Sequence, residues 1–181
     1  MQNRIINGQL VIENCEYVVK GNLEVTDSVI IKNGSLVVEG DLLIHSKHCN
    51  NINIYNGKVY AKSITTTANI YISNGNVITF KNLKCNNIRC HGGDIIVGGD
   101  AHVRSVFCRN YLVDGCNNSD DIEAECTVYI MEFSNSKNIT APEVFLGGGG
   151  NFNGNTIKCD YFEFDGHIYS CLRRYFLTKE S

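Results

Sequence analysis

Tryptophan is missing from this chain of 181 residues, proline occurs once, as Pro142, and methionine twice. A single proline leaves no proline-rich tail or linker. Long apolar runs are missing as well: none approaches the ~18 residues that a membrane-spanning helix needs. Residues 1–10 hold no apolar core of the length found in a secretory signal peptide. Positive charge is not in excess, with 16 Lys and Arg against 19 Asp and Glu and a formal net charge of -3. Phosphate binding needs clustered cations, and without a basic stripe nucleic acid is not an expected partner. No Ser/His/Asp set, phosphate-binding loop or dinucleotide fingerprint is present. The glycine run Gly147 to Gly150 is followed by no Gly-Lys-Ser/Thr and no helix signal, and reads as a loose corner. Nine cysteines make an odd count, and their spacings do not suggest a secreted disulfide framework. Free thiols in a reducing cytoplasm are the expectation.

What is plentiful is glycine, at 17 residues, and asparagine, at 23. Both tolerate left-handed backbone, which suits a chain with many tight corners. A motif of the form apolar-any-small recurs at Ile88-Arg89-Cys90, Val106-Phe107-Cys108, Ile122-Glu123-Ala124, Ile139-Thr140-Ala141 and Ile157-Lys158-Cys159, in steps of 18, 16, 17 and 18 residues. A period near 18 with strand alternation inside it marks a solenoid in which each repeat is one coil.

Each coil divides into three short strands. The first set includes Tyr17-Val18-Val19, Leu36-Val37-Val38, Val59-Tyr60-Ala61 and their successors as far as Phe162-Glu163-Phe164. The second begins about six residues later, at Leu23/Val25, Leu42/Ile44, Ile64/Thr66, Leu83/Cys85 and Ala101/Val103. The third carries the apolar-any-small motif and extends upstream through Val29/Ile31, Ile52/Ile54 and Ile70/Ile72. Corners fall at Asn33-Gly34, Asn56-Gly57, Asn74-Gly75 and Gly92-Gly93. The pattern predicts an all-β fold, a single-stranded parallel β-helix of triangular section with about nine coils. An antiparallel sandwich would need hairpins and would not repeat equivalent positions in every coil. A right-handed coil is favoured by the general crossover rule, although six-residue spacing between faces also occurs in left-handed hexapeptide helices. The helix is expected over 1–166. Ser46 to Asn51 reads as an insertion and Asp114 to Asp121 as a polar loop. Beyond Gly166, Ile168, Cys171, Leu172 and Tyr175 are spaced like a short helix, so 167–181 is expected to form a helical cap.

On each strand the residue between two inward side chains points outward. The second face then presents Glu24, Leu43, Thr65, Lys84 and His102, and the third a mixed set including Tyr71, Arg89, Phe107 and Glu123. The first face differs. Its outward column reads Val18, Val37, Tyr60, Ile78, Ile96, Leu112, Tyr129 and Phe145, and turns polar only at Glu163. Monomers seldom expose so long an apolar stripe, so these eight residues are the candidate interface, with a second copy of the chain or another protein.

Other candidates are weaker. Cys90, Cys108 and Cys159 fit as small inward residues, and Cys90 and Cys108 stand close enough in the stack for a disulfide. Cys85, Cys90 and His91 are the one cluster with some likeness to a metal site. Asp120, Asp121, Glu123 and Glu125 form an acidic group, and Asp94, Asp100, His102, Arg104 and Arg109 a scattered set of the kind used on polysaccharides. No catalytic residue, cofactor or metal is assigned from the sequence.

The phrases Val18-Val19-Lys20-Gly21-Asn22-Leu23-Glu24-Val25, Val37-Val38-Glu39-Gly40-Asp41-Leu42-Leu43-Ile44 and Gly57-Lys58-Val59-Tyr60-Ala61 resemble repeats of the bactofilin family of polymer-forming bacterial cytoskeletal proteins. The likeness runs from about Glu16 to Gly166. It implies nucleotide-free, end-to-end assembly into filaments that scaffold other proteins at the cell envelope. The expected function is therefore a non-catalytic, cytoplasmic structural protein that self-associates as a dimer or filament. The alternative is a carbohydrate-binding or polysaccharide-degrading β-helix protein.

Overall fold

The computed structural model describes residues 3–45, 52–132, 134–147, 151–165, 167–168 and 174–177. All regular structure among them is β-strand, and neighbouring strands pair in parallel, each with the strand one coil away. On the first wall Val18 pairs with Val37, then in turn with Tyr60, Ile78, Ile96, Leu112, Tyr129, Phe145 and Glu163. Those eight pairings are eight turns of a parallel β-solenoid. Hairpins are absent among the described residues, which excludes the sandwich.

Strand alternation builds the core. Inward pairs Leu23/Val25, Leu42/Ile44 and Leu83/Cys85 on the second wall meet Val29/Ile31, Ile52/Ile54 and Ile88/Cys90 on the third, all buried. The first wall adds Leu36/Val38, Val77 and Ile95/Val97. One continuous apolar cluster runs from Leu10 to Cys159. Because each coil buries its apolar side only against the coils above and below, stability rests on stacking.

Corners follow the asparagines. Asn14, Asn33, Asn56 and Asn74 all adopt φ between 50° and 56°, and Gly92 takes the fifth position with φ 70°. Asn manages this region because its short amide bonds locally. Here the amides also bond to one another up the stack, with Asn33 Nδ2 donating to Asn14 Oδ1 at 3.3 Å, Asn56 to Asn33 at 3.2 Å and Asn74 to Asn56 at 3.3 Å.

Two expectations are corrected. The polar loop anticipated at Asp114 to Asp121 is in large part strand: Asn117–Ile130 continues the stack, with Asn117 and Ser119 facing inward and buried. Their polarity is absorbed internally. Tyr111 Oη donates to Asn117 Oδ1 at 2.8 Å, Ser119 Oγ donates to the same oxygen at 3.1 Å, and Asn117 Nδ2 donates to Ser136 Oγ at 2.8 Å. A buried amide with its bonds made carries little of the penalty of an orphaned one. Second, within the helical cap expected over 167–181, the described residues 167–168 and 174–177 are not helical, and the remainder lies outside the described residues. His167–Ile168 and Arg174–Leu177 are strands in register with the coil before them, Phe152 opposite Ile168 and Ile157 opposite Tyr175. The offsets, 16 residues for His167–Ile168 and 18 for Arg174–Leu177, continue the solenoid because the coil's upper edge offers unpaired backbone groups to the next turn. Cys171, Leu172 and Arg173, the insertion at 46–51 and the glycines at 148–150 lie outside the described residues.

Candidate functional site

Backbone groups along the walls are consumed by the ladders, so the outer surface acts through side chains. The first wall aligns all eight residues expected there in one unbroken column. Val18, on the first rung, is 46% exposed; the other seven are half-buried, each shielded by its neighbours on adjacent rungs. Near the far end the column becomes aromatic, with Tyr129 and Phe145 ring centroids 6.2 Å apart and Phe145 to Tyr161 at 5.5 Å. Tyr129 Oη donates to Met131 Sδ at 2.6 Å. The first coil is apolar on all three outer walls, with Ile5, Val11 and Val18 among the most exposed large apolar residues.

The third wall has a different character. Its outward column runs Tyr71, Arg89, Phe107, Glu123 in register. A groove of about 690 Å³ opens along these four, with His91 and Asp121 on its flanks. The His91 ring leans on Phe107, centroids 5.1 Å apart at 53°. The sequence shows these residues as a mixed outward set, without the groove that their unequal sizes create.

The scattered polar residues do not converge. Asp94 is held on the first wall, accepting from Arg109 Nε at 3.0 Å, Arg109 Nη2 at 2.7 Å and Asn110 Nδ2 at 2.8 Å. The hydrogen bonds from Arg109 hold the Asp94 carboxyl below the usual carboxylate range. Asp100 occupies a corner, accepting from the Cys116 backbone N–H at 2.9 Å. Arg104 and Lys137 both approach Asp120, at 3.8 and 2.8 Å, and the hydrogen bond from Lys137 lowers the pKa of that carboxyl. His102 stands exposed on the second wall. Asp94 with Arg109, Asp100 at its corner and Arg104 with Asp120 thus serve separate local contacts.

Cysteine fares likewise. Cys85 and Cys90 point into the core from different walls while His91 points out, so no metal centre forms from them. Burial pushes the Cys90 thiol up to about 12, and the Cys85 and Cys108 thiols upward too. Cys90 and Cys108 are free thiols on adjacent rungs. One grouping went unnoticed in the sequence: Asp100, Cys116 and Glu132 bring ligand-type atoms within 4.8 Å of one another. They hold the same corner in three successive coils, a signal visible only once the period is known. Cys116 Sγ lies 3.5 Å from Glu132 Oε2 and its backbone N–H serves Asp100, so the three satisfy one another.

Among the described residues no helix is long and apolar enough to cross a membrane. No protein-family model, curated protein or solved structure matches the chain.

Proposed function

We propose that this chain is a non-catalytic structural protein that associates laterally with a second copy through its first wall, with the coil ends available for longer assemblies of the bactofilin kind. The observation that carries the reading is the column Val18, Val37, Tyr60, Ile78, Ile96, Leu112, Tyr129 and Phe145. Strand propensity alone would favour such residues on every wall, yet the second wall puts Glu24, Lys84 and His102 at the equivalent positions. The column spans seven intervals of ~4.8 Å, about 34 Å. The resemblance to bactofilins supports the same reading and extends it to scaffolding of partner proteins in a bacterial cytoplasm at the envelope.

Light scattering tests it. The parent is expected to show a mass of two chains or more at micromolar concentration. Tyr129→Asp sets a carboxylate beside Phe145 and is expected to weaken association at least tenfold, about 1.4 kcal/mol. His102→Asp, on the second wall, is the control and is expected to leave the mass unchanged. A parent that is monomeric throughout, or a mass indifferent to Tyr129→Asp in a variant that still gives the strand spectrum by circular dichroism, overturns the proposal.

A further inference from the structure

The groove on the third wall calls for a ligand of a chemistry different from that of the first wall. Its four central residues alternate aromatic, guanidinium, aromatic and carboxylate over three rung intervals, about 14 Å. Arg89 and Glu123 are exposed and make no ion pair or side-chain hydrogen bond among the described residues. Two opposite charges two rungs apart thus remain free, with the Phe107 ring between them.

The wall's own backbone limits what can bind. Arg89, Phe107 and Glu123 sit within parallel ladders whose backbone groups pair above and below. No strand can be added to the face of a sheet, so an extended peptide would find no backbone partners. Its N–H and C=O groups would lose water without compensation. A suitable ligand carries apolar C–H surface for the rings of Tyr71 and Phe107. At its edges it needs groups that both donate and accept, so that Arg89 can donate to them and Glu123 or Asp121 accept from them. Hydroxylated sugar rings combine these properties. The charge balance refines the choice: one guanidinium faces two carboxylates, Asp121 and Glu123, so a polyanion would be repelled over part of the groove. We propose that the third wall binds a neutral oligosaccharide of two or three sugar units lying along the coil axis, with Tyr71 and Phe107 as stacking platforms and Arg89, Asp121 and Glu123 as hydroxyl-binding groups. This site is separate from the self-association wall, and either proposal can fail without the other.

The test is calorimetric titration with neutral cello-, xylo-, manno- and chito-oligosaccharides, with polygalacturonate and an extended peptide of mixed sequence as comparison probes. At least one neutral series is expected to bind with a dissociation constant of about 1 mM or below. Phe107→Ala is expected to weaken binding at least tenfold. Glu123→Gln alters an exposed residue with no partner to lose, and is expected to weaken binding several-fold without moving the melting temperature. His102→Ala, on another wall, should leave affinity unchanged. Binding of no neutral series, preference for polygalacturonate or the peptide, or affinity that survives both Phe107→Ala and Glu123→Gln would overturn the proposal.

Discussion

Replacing Gly75 by alanine should damage this solenoid out of proportion to the single methyl group added. Gly75 lies directly above Gly57 in the parallel ladder. A Cβ at Gly75 would press into the Gly57 carbonyl oxygen, and would lie 3.0 Å from that carbonyl carbon and 3.1 Å from the Gly57 nitrogen. The obstruction is backbone, so no side chain can rotate away, and relief requires the two rungs to part. Overpacking of this kind costs about 1–3 kcal/mol, and a lengthened ladder hydrogen bond adds about 1 kcal/mol. A loss of about 2–4 kcal/mol follows, and in a chain of this length each kcal/mol is worth about 2–4 °C, giving a fall of about 4–16 °C in melting temperature. Gly147→Ala is the matched control. Its Cβ would meet nothing closer than Met131 Sδ at 3.8 Å, so the smaller entropy of the unfolded chain should yield a neutral or slightly positive change, up to about 1 kcal/mol. Thermal and urea melts followed by circular dichroism measure both. A Gly75→Ala variant that melts within about 2 °C of the parent would show that the coil dilates freely, and would refute the close-stacking argument.

Two further outcomes can be checked on the same material. Asp94→Asn removes the carboxylate held by Arg109 and Asn110 and should cost about 1–2 kcal/mol at pH 7, discounted because Arg109 is half exposed. The folded-state pKa of Asp94 is depressed, so its contribution is complete above the unfolded value of about 3.9 and fades as pH falls through the folded value; melts at pH 7 and pH 3 should show the gap between parent and variant narrowing, and a gap that persists unchanged at pH 3 would contradict the pairing. Thiol labelling should divide the cysteines by wall position, with exposed Cys15 and Cys126 reacting in the native protein and buried Cys85, Cys90 and Cys108 reacting only on unfolding; native-state labelling of Cys90 at the rate of Cys126 would contradict their burial.

The period was legible because the third wall repeats a geometric demand. Cys90, Cys108, Ala124, Ala141 and Cys159 occupy one inward column beside a corner, each 5% exposed or less, the place that Ile31, Ile54 and Ile72 fill in the earlier coils. The corners were legible for a similar reason, since a left-handed residue at each turn leaves asparagine and glycine as the ready choices. Where the interior itself turns polar, the signal inverts. Asn117, Ser119, Ser134 and Ser136 are buried yet hydrophilic, so alternation between apolar and polar cannot report which side faces in. Only their mutual hydrogen bonds, and the distant Tyr111 hydroxyl, explain why a strand forms there. At the C-terminal end, Ile168 and Tyr175 are seven residues apart, a spacing that fits a helix as well as a solenoid. The decisive clue was the 18-residue offset that sets Tyr175 one coil beyond Ile157. The outward columns could be read from register alone. The groove between Tyr71 and Glu123 could not, because it depends on which side chains fill the space above the wall.

The size of the apolar column constrains how two copies could meet along it. One column, about 34 Å long and about 7 Å wide, covers roughly 240 Å², well short of the ~800 Å² per partner of a stable interface. Lateral pairing must therefore recruit the polar residues at the wall's edges, and these are unevenly charged. The first three coils place Lys20, Lys58 and Lys62 there beside Glu16 and Glu39, whereas the last two place Glu143 and Asp165 there with no lysine. A parallel side-by-side arrangement would set acidic ends together. Two-fold, antiparallel pairing instead keeps the two acidic ends apart, and a two-fold interface needs a self-complementary surface. With the axis between Ile78 and Ile96, Tyr60 opposes Leu112, Val37 opposes Tyr129 and Val18 opposes Phe145. Glu163, on the ninth rung, then has no rung opposite it and stays in water. A charge at the end of an otherwise apolar column is compatible with this pairing, whereas a parallel arrangement in register would bring two Glu163 carboxylates face to face.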